Sequence, residues 1–177
     1  MEHKIIFTGP VGAGKTTAIS SISDIPVVKT EANATDDVVL RKTNTTVAMD
    51  YGVLNLAQNA KVHLYGTPGQ ERFSFMWDIL TIGGMGLVIM LDNDREDPLA
   101  DMAFFLDSFK DFIQKNAVVI GVSRMDISPQ PGLQTYHKKL QELGMQVPIF
   151  EVDARARQDI KVLLMALLAV LDPGLKR

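Results

Sequence analysis

Eight residues near the start of the chain have the types and the spacing that hold a phosphate group, Gly9-Pro10-Val11-Gly12-Ala13-Gly14-Lys15-Thr16. In this G-x-x-x-x-G-K-T pattern, the small residues let backbone N–H groups turn towards an anion. The lysine can reach the outer phosphates of a di- or triphosphate, and the threonine hydroxyl can ligate Mg²⁺. A glycine-rich turn packed against a helix is the alternative, but the lysine and the threonine favour a phosphate-binding loop.

Two other polar runs follow apolar segments later in the chain. Val122-Ser123-Arg124-Met125-Asp126 comes after one segment, and Asp153-Ala154-Arg155 comes after another. In open α/β sheets, ligands bind at the carboxyl ends of the strands, so these runs and the phosphate loop are expected at one edge. Taken alone, Asp126 is typical of a helix cap or a turn acid.

The segment Val62–Phe73, with the sequence VHLYGTPGQERF, is a further candidate. It alternates as a strand does and stops at Gly66-Thr67-Pro68-Gly69, where two glycines and a proline hold the backbone in one path. A loop built in this way after a strand often faces a ligand.

Periodicity predicts the elements that position these residues. His3–Gly9 is typical of a buried parallel strand, and the polar run Thr30–Thr45 is predicted to be a long loop. Residues 47–53 alternate and are predicted to pair with the next strand as an antiparallel hairpin. Beyond that hairpin strands and helices alternate, and Ile160–Leu171 carries a core-facing stripe. The order predicts an α/β three-layer sandwich: a six-stranded, mainly parallel sheet with one antiparallel edge strand and helices on both faces.

Composition excludes several classes of function. The chain has 46% apolar and 22% charged residues, which suits one globular domain, and it has no cysteine for a disulfide or a thiolate metal site. Its net charge of −3 has no basic block to offset it, so nucleic-acid binding is not expected. No apolar run is long enough to span a bilayer and no lipidation motif is present, so we expect a cytoplasmic protein without a direct membrane anchor.

With these motifs in place, the chain resembles the Ras-like small GTPases from the first strand to the last helix. The resemblance rests on the P-loop, on "TTVAMDY" with Thr46 and Asp50, on "GTPGQERF", on "SRMD" where N-K-x-D is usual, and on "DAR" where S-A-K is usual. The details "TTVAMDYG", "YGTPGQ" and "DAR" are similar to a bacterial group that works with roadblock-domain proteins and is related to the gliding-polarity GTPases. The resemblance implies a single small-GTPase domain over residues 1–177, a Mg²⁺-dependent switch that hydrolyses GTP slowly to GDP and phosphate.

The same resemblance implies a role for each matched position. Asp126 would accept hydrogen bonds from the guanine N–H groups, and the Ala154 N–H would contact the guanine carbonyl. Thr16 and Thr46 would ligate Mg²⁺, and Gln70 would orient the attacking water. Together with the catalytic Gln70, Lys15 and Thr46, the implied nucleotide site comprises Gly9, Val11, Gly12, Ala13, Gly14, Lys15, Thr16, Thr17, Thr46, Gly69, Ser123, Arg124, Asp126, Asp153, Ala154 and Arg155.

Three positions depart from the family pattern. Gly66 stands where the family has an aspartate that holds Mg²⁺ through water, and we expect waters, held by Asp92, to fill that place. Val11 stands close to the expected place of the glutamine, which predicts slow unaided hydrolysis. No arginine lies directly beside Thr46, so Arg41, Arg72 or, as we favour, a partner in trans would stabilise the transition-state charge.

Partner binding and competing functions follow from the same residues. In Phe73–Leu80 most apolar residues fit a core-facing stripe, but Phe75 lies off that stripe and is a candidate effector contact. A protein partner, for which the resemblance implies a roadblock-domain regulator or effector, would bind the Thr30–Thr46 and Gly66–Leu80 regions. The alternatives are a guanine-nucleotide scaffold with little hydrolysis and, less favoured, a P-loop ATPase or kinase that uses Asp92 and leaves "SRMD" and "DAR" unexplained.

Overall fold

A computed structural model describes residues 2–34, 45–68 and 74–171 of the chain. Strands and helices alternate along most of it, as predicted. The strands are β1 Glu2–Thr8, β2 Val28–Ala34, β3 Thr45–Asn55, β4 Lys61–Gly66, β5 Gly86–Asp92, β6 Ala117–Ser123 and β7 Ile149–Glu151. The helices are α1 Lys15–Ile22, α2 Ser74–Thr81, α3 Pro98–Ser108, α4 Lys110–Ile113, α5 Leu133–Glu142 and α6 Arg157–Leu171, with a 3₁₀ turn at Ala57–Asn59.

The strands form one sheet in the order β2-β3-β4-β1-β5-β6-β7. Strand β1 pairs in parallel with β4 and β5, and β6 pairs in parallel with β5 and β7. Strand β3 runs antiparallel to both of its neighbours, β2 and β4. The predicted fold class, a mainly parallel α/β sheet with one reversed strand, is therefore confirmed, as is the predicted hairpin.

The described sheet has seven strands, one more than predicted, because β2 pairs along the outer side of β3. The reversed strand thus lies inside the edge, and residues 30–34 of the predicted long loop belong to β2. An edge strand is held mainly by backbone hydrogen bonds, so its sequence need not alternate between apolar and polar residues. The polar residues of β2 for that reason lack the pattern that predicts a strand.

Helices cover both faces of the sheet and produce two separate apolar cores. Ile5 and Phe7 of β1 face a core shared with α1 and α6, while Ile6 faces a core shared with α2, α3 and α5. All residues of β5 and β6 are buried, as expected for parallel strands that are covered on both sides. Within α6 the predicted stripe is confirmed, with Ile160, Leu163, Leu164 and Leu167 buried.

Local residue choices set where the helices near the site begin. Asp97 caps α3, because its side chain accepts a hydrogen bond from the Ala100 N–H at 3.0 Å, and Pro98 occupies the first turn. Helix α1 begins directly after Gly14, which has a φ of 93° that favours glycine. Among the described residues no helix is both long and apolar enough to cross a membrane.

Candidate nucleotide-binding site

The phosphate loop and the two polar loops after β6 and β7 meet at the carboxyl edge of the sheet, as predicted. They enclose a cavity of about 540 Å³. Of the residues implicated by sequence, this cavity is lined by Gly12, Ala13, Gly14, Thr17, Ser123, Arg124, Asp126, Asp153, Ala154 and Arg155. The cavity therefore joins the three motifs into one candidate site.

Left-handed glycines shape the phosphate loop. Gly12 and Gly14 have φ values of 81° and 93°, and the Ala13 N–H donates to the Pro10 carbonyl at 3.2 Å. Gly9 approaches β5 so closely that a Cβ atom on it would lie 2.0 Å from the Met90 carbonyl oxygen. Since α1 starts where the loop ends, its first N–H groups face the same space and favour an anion there.

The Lys15 side chain folds back over this loop. Its Nζ donates to the carbonyl oxygens of Gly9 and Pro10 at 2.7 and 2.8 Å, and the residue is 8% exposed. Burial lowers the pKa of Lys15 to about 8, the Asp50 carboxylate opposes that shift, and Arg95 adds to it. A phosphate group in the loop would offer the ammonium a stronger partner than two carbonyls do.

An acid lies beside Gly66 after all, and it comes from the neighbouring strand. Asp50 of β3 is paired with Gly66 of β4, and a Cβ atom on Gly66 would lie 3.2 Å from the Asp50 Cβ and 3.4 Å from its Oδ2. The Thr16 hydroxyl donates to that same Oδ2. Asp50 thus places a carboxylate next to the threonine of the phosphate loop, in the space that an aspartate at position 66 would enter.

Asp92, which we expected to compensate for Gly66, is engaged on the other side of the site. Its Oδ2 accepts a hydrogen bond from Arg124 Nη1 at 2.5 Å, and its Oδ1 accepts one from the Asp94 N–H at 2.9 Å. In the sequence, Asp50 is notable only for its spacing from Thr46. The feature that could have identified it is the hairpin register, which sets Asp50 directly opposite Gly66.

A hydroxyl and a carboxylate at this position fit Mg²⁺. The ion keeps several waters and is held by one or two protein oxygens plus phosphate oxygens, so Thr16 and Asp50 suffice as the protein's share. Across the described ranges, no group of three or more His, Cys, Asp or Glu side chains is arranged to hold a metal without such help.

The loop after β4 is anchored where the structure describes it. The Thr67 hydroxyl donates to Thr8 Oγ1 at 2.8 Å, and the Thr67 N–H donates to the Phe7 carbonyl at 2.9 Å. The Pro68 carbonyl accepts a hydrogen bond from Trp77 Nε1 at 3.1 Å. Gly69, Gln70, Arg41, Arg72 and the side chain of Thr46 lie outside the described residues, so their roles stay predictions; the backbone of Thr46 belongs to β3.

We call the part of the cavity formed by the loops after β6 and β7 the base side. There, Ser123 and Arg124 connect β6 to neighbouring elements. The buried Ser123 hydroxyl lies 3.2 Å from the Ala13 carbonyl and 3.0 Å from the Leu91 carbonyl, so it bridges β6, β5 and the phosphate loop. Arg124 has a φ of 61°, and its guanidinium forms an ion pair with Asp92 at 2.5 Å. This ion pair fixes the Arg124 side chain beside the end of β5.

Asp126 and Ala154, which are predicted to contact the base, have polar groups that form no hydrogen bond with the described residues. Among the described residues, the exposed Asp126 carboxylate accepts no hydrogen bond and forms no salt bridge, so it does not cap a helix or close a turn there. The Ala154 N–H has no acceptor within the same part of the chain, and a Cβ atom on Gly14 would lie 2.9 Å from the Ala154 Cβ. A carboxylate and an N–H group therefore line the same cavity without a hydrogen-bond partner among the described residues.

The residues on either side of Ala154 shape its loop. The Arg155 side chain and its N–H both donate to the Asp153 carboxylate, at 2.9 to 3.0 Å, and they lower the pKa of Asp153 to about 2. The Asp153 N–H donates to Asp159 Oδ2 at 2.8 Å. Asp153 and Arg155 thus bind each other, which leaves Ala154 at the inner side of the loop.

Comparison with known proteins relates this chain to one protein family and to two curated proteins. The model of a family described as a conserved hypothetical ATP binding protein matches residues 26–170, a range that begins after the phosphate loop and includes both base-side loops. The chain is 33% identical over 94 residues to an uncharacterized protein of Methanocaldococcus jannaschii, covering 53% of each chain. It is 24% identical over 119 residues to the Ras-related protein Rab-18-B of Danio rerio, covering 66% of this chain and 52% of that protein. The chain spans about half the length of these curated relatives.

The lowered pKa of Lys15 predicts that nucleotide binding takes up a proton in alkaline solution. At pH 9 the free protein holds this side chain mostly neutral, while a bound phosphate favours the ammonium. We expect uptake of roughly half a proton to one proton per nucleotide at pH 9, and an affinity that falls as pH rises through about 8. Isothermal titration calorimetry in buffers of different ionisation enthalpy measures this uptake.

Lys4→Met is the control for that titration. Burial also lowers the pKa of Lys4, but its Nζ donates to the Ile82 carbonyl and it takes no part in the phosphate loop. The proton uptake should be unchanged in this variant. Nucleotide phosphates are fully ionised at pH 9, so binding without proton uptake at that pH would contradict the prediction.

Proposed function

The chain belongs to the family of conserved hypothetical ATP-binding proteins, and from that premise we propose that it is a molecular switch driven by guanine nucleotides. Its fold is that of a P-loop, GTPase-like nucleotide-binding protein. In the proposed cycle it binds GTP with Mg²⁺, hydrolyses it slowly to GDP and phosphate, and presents different surfaces in the two states. The observation that carries the choice of base is the Asp126 carboxylate, which lines the cavity and accepts no hydrogen bond from any described residue.

Guanine and adenine present opposite groups to a carboxylate. Guanine offers two N–H donors on its Watson–Crick edge, and the two oxygens of Asp126 can accept both. Adenine offers an unprotonated ring nitrogen at the corresponding place, so the carboxylate would lose water without gaining a partner. The free Ala154 N–H matches the guanine carbonyl, which adenine lacks.

Adenine binding is the second candidate because the family's description refers to ATP. The matched range, residues 26–170, includes Asp126 and Ala154, so that description bears on the base-side loops themselves. The two candidates share the phosphate loop and differ in the base that Asp126 and Ala154 would accept. Competition between guanine and adenine nucleotides therefore decides between them.

The chain's own residues support hydrolysis at the phosphate end. Lys15 would move from the Gly9 and Pro10 carbonyls to the β- and γ-phosphates and neutralise charge there. Thr16 and the side chain of Thr46 would hold Mg²⁺ with Asp50 beside them, and the ion would supply positive charge next to the phosphates. We propose that Gln70 orients the attacking water and that the Gly69 N–H holds the γ-phosphate.

Two features make unaided hydrolysis slow in this proposal. Val11 is 57% exposed on the phosphate loop, where we propose that its side chain hinders the attacking water. The second feature is that no arginine lies directly beside Thr46 in the sequence. An arginine that stabilises the transition-state charge is worth about 10³–10⁵ in rate in this class of enzyme, and here it would come from Arg41, Arg72 or a partner in trans. A guanine-nucleotide scaffold with little hydrolysis is the limiting case of the same site.

A partner surface is proposed next to the loop after β4. Helix α2 buries Met76, Trp77 and Leu80 against the core and exposes Phe75 and Ile79, which are 45% and 63% accessible. We propose that a protein partner of the roadblock type binds the Thr30–Thr46 and Gly66–Leu80 regions. In this proposal the partner senses the bound nucleotide through these two regions.

Substitution of Asp126 by asparagine tests the choice of base. The amide cannot accept hydrogen bonds from both guanine N–H groups, but it can donate to the carbonyl that xanthine carries in place of the guanine amino group. We expect the affinity for GDP to fall by about 10²- to 10³-fold and the affinity for XDP to rise, measured with fluorescent nucleotides. Asp107→Asn, on the exposed side of α3, is the matched control. Wild-type protein that binds ADP in preference to GDP would overturn the proposed function.

Substitution of Asp50 by asparagine tests the acid beside Thr16. Loss of the negative charge should lower the affinity of the GTP-bound protein for Mg²⁺ by about 10- to 100-fold. The affinity for GDP in the absence of Mg²⁺ should change little. The double variant Asp50→Asn, Gly66→Asp returns a carboxylate from the opposite strand and should recover part of the loss. If Asp50→Asn leaves the Mg²⁺ titration unchanged, Asp50 does not serve the metal.

Substitution of Gln70 by leucine tests hydrolysis itself. A water that is no longer oriented should react about 100-fold more slowly, measured as phosphate release from preloaded GTP in a single turnover. Gln134→Leu, an exposed position on α5, is the control and should behave as the wild type. Equal rates in the wild type and in Gln70→Leu would favour the scaffold over the switch.

A further inference from the structure

Three consecutive residues at the end of β5 and just beyond it hold the loop that carries Asp126. Asp92 forms an ion pair with Arg124 at the start of that loop, at 2.5 Å. The Asn93 side-chain amide donates to two carbonyls at the loop's far end, those of Ser128 at 2.6 Å and Pro131 at 3.1 Å. The sequence motifs did not include Asn93 or its contacts.

Asp94 provides a third contact to the loop, and hydrogen bonds within the loop form a turn. Asp94 Oδ1 accepts a hydrogen bond from the Ser128 hydroxyl at 2.5 Å. The N–H groups of Ile127 and Ser128 donate to the Arg124 carbonyl at 3.2 and 2.9 Å. Asp126 therefore lies in a turn whose two ends are fixed, although no described residue hydrogen-bonds to its own carboxylate.

The Asn93 amide is itself oriented by a buried tyrosine. Tyr136 of α5 is fully buried, and its hydroxyl donates to Asn93 Oδ1 at 2.5 Å. Burial and the nearby carboxylates of Asp101, Asp92 and Asp97 raise the pKa of Tyr136, so the hydroxyl remains a donor. With its oxygen occupied by that donor, the amide must direct both N–H groups at the loop carbonyls.

We propose that Asn93 and Tyr136 are positioning residues for base recognition, which act by fixing the loop so that the Asp126 carboxylate meets both guanine N–H groups at once. This inference rests on the proposed function, in which Asp126 reads the base. It assigns base selectivity partly to α5, whose residues do not line the cavity. Two successive hydrogen bonds connect α5 to the loop that carries Asp126, from the Tyr136 hydroxyl to the Asn93 side chain and from there to the Ser128 carbonyl.

Inosine nucleotides separate this role from simple stabilisation. Hypoxanthine keeps the ring N–H of guanine and lacks the exocyclic amino group, so it makes one hydrogen bond to a carboxylate where guanine makes two. The ratio of the GDP and IDP affinities then reports how well the carboxylate meets both donors. A residue that only stabilises the fold would change the melting temperature and leave this ratio alone.

The test is Tyr136→Phe in the full chain, a substitution that removes the hydroxyl and keeps the ring. We expect the preference for GDP over IDP to shrink by about threefold to tenfold, since two charge-assisted hydrogen bonds are misaligned rather than removed. Tyr51→Phe is the matched control, because Tyr51 also hydrogen-bonds through its hydroxyl, to His63 Nδ1 at 2.7 Å, away from the base side. The control should keep the wild-type ratio.

Hydrogen–deuterium exchange gives a second readout that does not depend on the nucleotide. In Tyr136→Phe the N–H groups of residues 124–131 should exchange faster than in the wild type, while those of residues 9–16 keep their rate. An unchanged GDP-to-IDP ratio with unchanged exchange in 124–131 would overturn the positioning role and leave the proposed function intact. A wild type that prefers ADP would overturn both.

Discussion

The burial of β5 and β6 on both faces is the constraint on which the rest of the structure depends. With helices packed above and below, neither strand offers a side chain to water along its length, and polar groups can appear only where the strands end. Asp92 and Ser123 stand at those two ends, side by side in the parallel ladder. Their hydrogen bonds to Arg124, Ala13 and Leu91 gather the phosphate loop and the base-side loop around one cavity.

The antiparallel hairpin solves a different problem at the same edge. Strand β4 ends in glycine, so its own side chain cannot supply charge near the phosphate loop. Because β3 runs the other way and pairs with β4, it brings Asp50 opposite Gly66 and against the Thr16 hydroxyl. The negative charge is thus kept in place while the residue that carries it moves to the neighbouring strand.

Much of this arrangement could be predicted from sequence because local pattern and motif agree with each other. The glycine spacing around Lys15, the alternation of strands and helices, and the apolar stripe of α6 each depend on nearby residues. The role of Asp50 was missed, because it depends on the register between β3 and β4 rather than on spacing along the chain. Strand β2 was also missed, since its pairing with β3 is carried by the backbone and its residues show no apolar alternation.

The contacts around the loops after β6 and β7 could not be predicted from local sequence either, and they also connect these loops to the rest of the site. The grip of Asn93 on the Ser128 carbonyl and the packing of Ala154 over Gly14 link segments that are far apart in sequence. Ala154 lies so close to Gly14 that any side chain at position 14 would collide with it. The phosphate loop and the loop after β7 are therefore in direct contact with each other. A protein that displaces either loop would weaken the contacts at both ends of the nucleotide. The lifetime of the bound nucleotide would then depend on one structural unit.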